Sequence, residues 1–245
     1  MPSVVLYADR QLQDIRGFCC SGNDSSVLGF DKTYNLGSIY VTPSVDKNLA
    51  LQRHTMSDFP IFMGPIFIHG HSDFDSYAHV FGSLSAQLVD VNRNQMVFGL
   101  DDEQAMRKAM EHCFPMSSFV VCTRHLQENV HRKVDSLIGT RAPHRRSLLD
   151  GLVDDAGLSA CTDAVSFEEA VTQYRNNILP SGPPDFANYV ERRVFHLLRQ
   201  NVKAGRSKWT NNNCEAINHV LKQSIQWRPQ QLPQHQYREA DRALL

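Results

Sequence analysis

The chain has 245 residues, of which 42% are hydrophobic and 21% are charged. This composition is that of an ordinary globular protein and excludes a largely disordered chain. The formal net charge at pH 7 is −1. The chain as a whole therefore exerts no strong attraction on nucleic acid, and DNA binding would have to use local basic surface. The length favours one core with a sizeable insertion.

The cysteines and the apolar segments indicate where such a chain would be found. Its six cysteines are scattered through a chain much longer than a disulfide-stapled scaffold, which predicts a reducing compartment. The first residues have no secretory signal pattern. The longest apolar stretch, at 59–70, is broken by two prolines and a glycine and falls short of the roughly 20 residues of a membrane helix. We therefore expect no association with a membrane.

The first half of the chain alternates short apolar runs with helical patterns. Residues 1–25 are interpreted as a lead-in segment. Two β-rich runs within 26–45 then predict a hairpin, with Asp31 on its first strand. The elements that follow are a strand at 61–70, a helix at 73–88, a strand at 94–101, a helix at 102–114 and a strand at 117–122. This order predicts an α/β core at 26–125 with a mixed five-stranded sheet.

The second half of the chain is mainly helical in pattern. Strand patterns fade after residue 125, and residues 126–205 predict an all-helical insertion in which the clusters RAPHRR and SGPP mark loops. Residues 206–228 return to the core as a helix that follows the capping sequence TNNN and carries Glu215. Residues 229–245 are rich in proline and glutamine and are interpreted as a solvated tail.

Three acidic residues occupy settings that favour a shared metal centre. Asp31 and Asp101 each end a short apolar strand, where a carboxylate is costly to bury unless a cation compensates it. Glu215 lies on a helix that can face those strand ends. Two aspartates and a third carboxylate can hold two divalent cations for phosphodiester chemistry. Each residue alone is more often a cap or a solvated side chain. Asp101 is favoured over Asp102, whose simplest role is interaction with the following helix amino terminus.

The pair Cys122 and His125 has the C-x-x-H spacing that can place two zinc ligands on one side of a strand–helix junction. A second ligand pair is not evident from the sequence. The pair is equally compatible with a buried structural contact that binds no metal. If zinc binds there, a structural role is expected.

Basic residues cluster in the helical insertion and just before the last core helix. Beside an acidic metal centre they could bind a phosphate backbone without reading its sequence. The alternative is that they are solvated helix faces, and Trp209 and Trp227 are expected to pack rather than to stack on bases. The candidate DNA-binding residues are Arg132, Lys133, Arg145, Arg146, Lys208 and Asn212.

Several blocks of the chain resemble, in order, the catalytic core of the Mutator-like element transposases, a group of DDE transposases. The blocks are FDKTYNLGSIYVTP, MGPIFIH, GLDDEQAMRKAMEHCFP, VCTRHLQENV with its C-x-x-H element, and WTNNNCEAINHVLKQ. Together they cover most of residues 26–227. The resemblance implies an RNase H-like fold that is interrupted by a helical insertion before the last catalytic helix.

The resemblance also implies a function. It assigns Asp31, Asp101 and Glu215 as ligands of two Mg²⁺ or Mn²⁺ ions in cut-and-paste DNA transposition, with transposon ends and target DNA as partners. A nuclear location and a homo-oligomer fit that activity, whereas a small-molecule substrate does not. Transposases of this group usually carry a zinc-binding, DNA-reading region upstream, so the chain is expected to be a truncated catalytic domain.

Two other interpretations remain open at the level of sequence. One is a transposon-derived remnant that binds DNA or protein without catalysis, which the near-neutral charge favours. The other is a helical scaffold or zinc-binding module, which would require zinc bound through Cys122.

Overall fold

The computed structural model describes residues 3–22, 25–33, 39–52, 54, 58–91, 96–153 and 157–224. These residues form an α/β fold in which helices flank one open mixed sheet. The strands are β1 (Val4–Leu6), β2 (Leu28–Phe30), β3 (Tyr40–Lys47), β4 (Ile61–His69), β5 (Val97–Leu100) and β6 (Ser118–Val121). The helices are α1 (Asp9–Phe18), α2 (Phe74–Gln87), α3 (Gln104–Cys113), α4 (Thr123–Ile138), α5 (Arg145–Val153), α6 (Ala164–Asn177), α7 (Pro184–Tyr189), α8 (Phe195–Lys203) and α9 (Asn212–Ser224).

The strand order across the sheet is β1-β4-β3-β2-β5-β6. Strands β2, β5 and β6 run parallel to one another, whereas β3 pairs antiparallel with both β2 and β4. Parallel strands present their carboxyl ends at the same edge of a sheet, where ligands collect in α/β folds. Whatever follows β2, β5 and β6 in the chain therefore lies at a common edge.

The five predicted strands are confirmed, but the sheet has six. The additional strand, β1, pairs antiparallel with the outer edge of β4, with Val5 opposite Phe67. It lies in the segment 1–25 that was interpreted as a lead-in, and α1 packs beside it on β3 and β4. Three residues are too few to show an alternation of apolar and polar side chains. β1 is a strand because it pairs with the exposed edge of β4.

The helix α2 forms as the apolar spacing predicts. Its buried side chains, Tyr77, Val80, Phe81 and Leu84, repeat at three and four residues and face the sheet. The Asp73 side chain accepts a hydrogen bond from the backbone N–H of Ser76 at 2.9 Å and so caps the amino terminus of the helix.

The segment between β6 and α9 is helical, as predicted, and it is tied to the core by polar contacts. Helices α7 and α8 are joined by a π-helical turn, Val190–Val194. In that turn Arg193 binds the carboxylate of Asp102 at 2.7 Å. The buried side-chain amide of Asn201 in α8 exchanges two 2.8 Å hydrogen bonds with the backbone of Val121. These bonds satisfy the outer edge of β6.

Two glycines allow α9 and the residues before it to lie directly on the sheet. Gly29 of β2 is paired with Gly99 of β5. A β-carbon at Gly29 would lie 2.8 Å from Cys214 Sγ, and one at Gly99 would overlap the indole ring of Trp209. The absence of side chains at this pair sets how closely the helix that carries Glu215 approaches the strand ends. Trp209 thus packs, as expected, whereas Trp227 and the tail at 229–245 lie outside the described residues.

Two further predictions from the sequence are a reducing compartment and no association with a membrane. All six cysteines are free thiols, so the reducing compartment stays a prediction. Within the described parts of the chain, no helix is both long and apolar enough to cross a bilayer.

A matched pair of glycine substitutions tests how closely α9 and the residues before it pack on the sheet. We expect Gly99→Ala to lower the free energy of unfolding by about 1–3 kcal/mol, because the new methyl group overlaps Trp209. Gly82→Ala places the same methyl group inside α2 with nothing within 4 Å of it, and it should raise stability by up to about 1 kcal/mol. Urea denaturation of both variants measures this. Equal shifts of the same sign would contradict the proposed packing.

Candidate metal-binding site

Three carboxylates that are far apart in the sequence lie at one edge of the sheet. Asp31 directly follows β2 and Asp101 directly follows β5, and the parallel register of these strands sets the two residues side by side. Glu215 lies in the first turn of α9. All three line one cleft of about 360 Å³. The structure thus brings together the three residues that the sequence predicts as metal ligands.

The two aspartates lie side by side, whereas Glu215 reaches Asp101 only through the His125 ring. The carboxyls of Asp31 and Asp101 are close enough to influence each other's pKa, and they can share a proton. The imidazole of His125 lies between Asp101 and Glu215. Its Nδ1 is 2.8 Å from Asp101 Oδ1, and its Nε2 is 3.6 Å from Glu215 Oε1. Asp101 and Glu215 are therefore one imidazole ring apart.

Two buried asparagines from the α9 region hold the aspartates in place. Asn218 Nδ2 donates to Asp31 Oδ2 at 2.7 Å, and Asn211 Nδ2 donates to Asp101 Oδ1 at 3.1 Å. These two asparagine side chains near Glu215 thus orient the aspartate carboxylates as well as the start of the helix. The side-chain oxygen of Asn218 is buried, and none of the residues that the structure describes bonds to it.

The two aspartates differ in their affinity for a proton. Burial, followed by the negative charge of Asp101, raises the pKa of Asp31 to about 7. Burial also acts to raise the pKa of Asp101, but the hydrogen bond and positive charge of His125 outweigh it and hold that pKa below its ordinary value. Below neutral pH the pair therefore carries one proton, which resides on Asp31.

Positive side chains neutralise the rest of the cluster. The hydrogen bond to Asp101, followed by that to Cys122, raises the pKa of His125 to about 11, so the ring is an imidazolium. The guanidinium of Arg124 forms a short ion pair with Glu215. Three carboxylates in one cleft repel one another, and these two cations occupy the position where a metal would offset that repulsion.

The donor set fits Mg²⁺ or Mn²⁺. Asp31, Asp101 and Glu215 supply hard carboxylate oxygens, and the unpaired amide oxygen of Asn218 adds a neutral one nearby. Oxygen donors of this kind are the ligands that both ions prefer. Asp31 and Asp101 lie side by side at the ends of paired parallel strands, so both carboxylates would be available to the same ions.

The acidic residues after Asp101 do not interact with the amino terminus of α3 as expected from sequence. Asp102 is paired with Arg193. Glu103 makes no side-chain cap and binds Lys32 Nζ at 3.0 Å and the Tyr77 hydroxyl at 3.1 Å. Since Lys32 adjoins Asp31, this pair anchors the loop that holds the first aspartate. The sequence signal for this pair is that Lys32 directly follows the candidate ligand Asp31.

The predicted DNA-binding residues fall into two groups. Arg132 lines a second cleft of about 390 Å³ together with Asp31 and Asp101, and Asn212 lies beside Arg124 at the start of α9. Of the six, Arg132 alone lines either cleft. Arg145 pairs with Asp135, Arg146 pairs with Asp150, Lys133 lies 6.0 Å from the ring centre of Tyr189, and Lys208 is exposed before α9.

Sequence reasoning missed two lysines and one arginine that line or contact the clefts. Lys222 lies two turns beyond Glu215 on α9 and lines the same cleft. Lys32 lines both clefts. Arg124 stands inside the C-x-x-H element and contacts Glu215. The helical spacing of Glu215, Asn218 and Lys222 was the signal that could have indicated one polar face.

The chain was compared with known proteins. It matches no protein-family model. No curated protein matches it significantly. The function therefore has to be argued from the geometry of the site.

The shared proton predicts a pH dependence of metal binding. Because Asp31 must lose its proton to bind a cation, we expect the affinity for Mn²⁺ to fall as pH decreases below about 7, by about tenfold per pH unit for one displaced proton. Calorimetric titration at several pH values measures this. An affinity that is constant across this range would contradict the assignment of Asp31 as a ligand, and Asp31→Asn should lose both the binding and its pH dependence.

Proposed function

We propose that this chain is the catalytic domain of a Mutator-like DDE transposase, which cuts and joins DNA strands with two divalent metal ions. The observation that carries this proposal is the convergence of Asp31, Asp101 and Glu215 in one cleft. A chance placement of the three predicted ligands would not put them all at the same edge of the sheet.

The fold supports an RNase H-like assignment. Three antiparallel strands, β2 to β4, are followed by two parallel strands, with helices between them. Carboxylates end the first strand of this unit and its neighbour β5. A helical insertion separates β6 from the helix that brings the third carboxylate. The resemblance in sequence implies the same arrangement.

The three carboxylates would hold the metal ions, which when bound supply an activated water or DNA 3′ hydroxyl and stabilise the leaving oxygen. The residues around them fix geometry. Asn218 and Asn211 orient the two aspartates, and the Lys32–Glu103 pair anchors the loop after β2. No side chain has to act as a covalent nucleophile.

Basic residues lie on both sides of the carboxylates and support a nucleic-acid substrate. Arg132 lines one cleft and Lys222 lines the other, and Asp31 and Asp101 line both. A DNA strand that crosses the edge of the sheet would meet cations before and after the cleavage point. Such contacts bind phosphates without reading the sequence. This local arrangement offsets the net charge of −1.

A second candidate function is a remnant that binds DNA or protein without catalysis. The pairing of Glu215 with Arg124, and of Asp101 with His125, favours it, because these cations balance the cluster without any metal. The two functions differ in metal binding. A transposase centre must exchange these internal cations for Mg²⁺ or Mn²⁺, whereas a remnant need not.

Substitution of each ligand tests the transposase proposal. We expect wild-type protein to nick supercoiled DNA in the presence of Mg²⁺ or Mn²⁺. Asp31→Asn, Asp101→Asn and Glu215→Gln should each reduce the rate by about 10²- to 10³-fold or more, because each removes a charge that holds the ions. Gel electrophoresis of the plasmid gives the rates.

Matched controls are available on exposed helix surfaces. Asp75→Asn in α2 and Glu169→Gln in α6 make the same chemical changes outside the cleft and should retain wild-type rates. Nicking that survives in all three ligand variants would refute the proposed centre. Protein that neither binds Mn²⁺ nor nicks DNA would favour the remnant.

A further inference from the structure

Three residues beside the proposed magnesium centre form a second, chemically different cluster. Cys122 follows β6 and precedes α4, His125 lies in the first turn of α4, and Asp101 ends the adjacent parallel strand β5. One ligand atom from each lies within 4.8 Å of the other two. The three side chains are supplied by neighbouring strand ends, so their proximity follows from the sheet.

We propose that Asp101, Cys122 and His125 bind zinc, and that zinc held there inhibits the magnesium centre by withdrawing Asp101 from it. The zinc site itself follows from the cluster alone. Its inhibitory effect rests on the proposed function.

The donor chemistry favours zinc over magnesium. A cysteine thiolate, an imidazole nitrogen and one carboxylate oxygen form a donor set typical of zinc, whereas magnesium requires oxygen ligands. The Cys122 side chain is 1% exposed, so a metal there would be shielded from bulk solvent on the thiolate side. The Asp101 and His125 side chains are about 30% exposed, at 29% and 28%, which leaves a path for the ion to enter.

The number of ligands argues against a structural zinc. Structural sites in proteins are closed by four protein ligands, whereas sites with three keep one position open to water or substrate. Cys214 on α9 is a further thiol, but its sulfur lies against Gly29 of β2. Among the described residues, no fourth acidic, histidine or cysteine ligand joins the cluster. This differs from the structural role expected from the C-x-x-H spacing.

The two kinds of site compete for the shared aspartate. His125 Nδ1 is hydrogen-bonded to Asp101 Oδ1. Zinc would take the place of the proton between them and join both side chains to Cys122. Asp101 Oδ1 would then be lost to the magnesium centre, and the positive charge of zinc would weaken the binding of ions at the remaining oxygen.

Cobalt provides a direct probe, since Co²⁺ replaces zinc and shows a thiolate-to-metal absorption band when cysteine is a ligand. We expect the full chain to bind one equivalent of Co²⁺ with this band, and zinc to abolish the band on titration. Absence of the band in wild-type protein would overturn the proposal, whatever the variants do.

Variants identify the ligands. Cys122→Ser should lose the band, and its zinc affinity should fall by more than the roughly 10- to 100-fold that loss of an outer-shell hydrogen-bond partner costs. Cys161→Ser, a partly buried thiol in the helical region, should keep both. Asp101→Asn should also weaken zinc binding. A band that persists in Cys122→Ser, or zinc affinity unchanged in Asp101→Asn, would overturn the assignment.

Competition tests the inhibitory effect separately. One equivalent of zinc should displace Mn²⁺ from wild-type protein, as measured by electron paramagnetic resonance. Zinc should also reduce the nicking rate of wild-type protein, and for each protein the ratio of the rates with and without zinc measures this effect. The ratio in Cys122→Ser should stay near one. Zinc bound together with undiminished Mn²⁺ would refute inhibition. A cobalt band in protein that neither binds Mn²⁺ nor nicks DNA would refute the proposed function and leave the zinc site standing.

Discussion

The parallel pairing of β2 with β5 is the constraint on which the rest of the site depends. Its register sets Asp31 beside Asp101, and the glycine pair two residues earlier, Gly29 and Gly99, leaves room for the α9 region to lie on the sheet. That close approach brings Glu215 to the same edge. Neither the carboxylate cluster nor the contacts that hold it would persist if the two strands shifted by one residue, because alternate side chains would then face the other side.

The electrostatics of the cluster explain why a cation is expected there. Burial of two aspartates in contact is unfavourable unless a proton or a positive charge compensates it. In the structure the His125 and Arg124 side chains pair with Asp101 and Glu215, and the raised pKa of Asp31 favours a proton there below neutral pH. Divalent ions can replace all three. The same reasoning connects the two proposals, since Asp101 is the residue for which the proton, His125 and the metals compete.

Much of the core could be predicted from sequence because its signals are local. Apolar runs that end at Asp31 and Asp101 predict strands with carboxylates at one edge, and the apolar spacing after Asp73 predicts α2. The misses were non-local. Strand β1 forms by pairing with the edge of β4, and the position of Glu103 depends on Lys32 across the loop. The ion pair of Arg124 with Glu215 depends on the packing of α9 on β2 and β3. The transposase activity was suggested by resemblance alone, and the structure adds the geometry that makes it testable.

The most direct test of the central claim is the location of manganese in crystals grown with the ion, determined from its anomalous scattering. The account predicts two ions roughly 4 Å apart, bridged by Asp31 and Asp101, with Glu215 on one of them and Arg124 displaced. Manganese that binds elsewhere, or carboxylates that stay paired with His125 and Arg124 at saturating manganese, would contradict it.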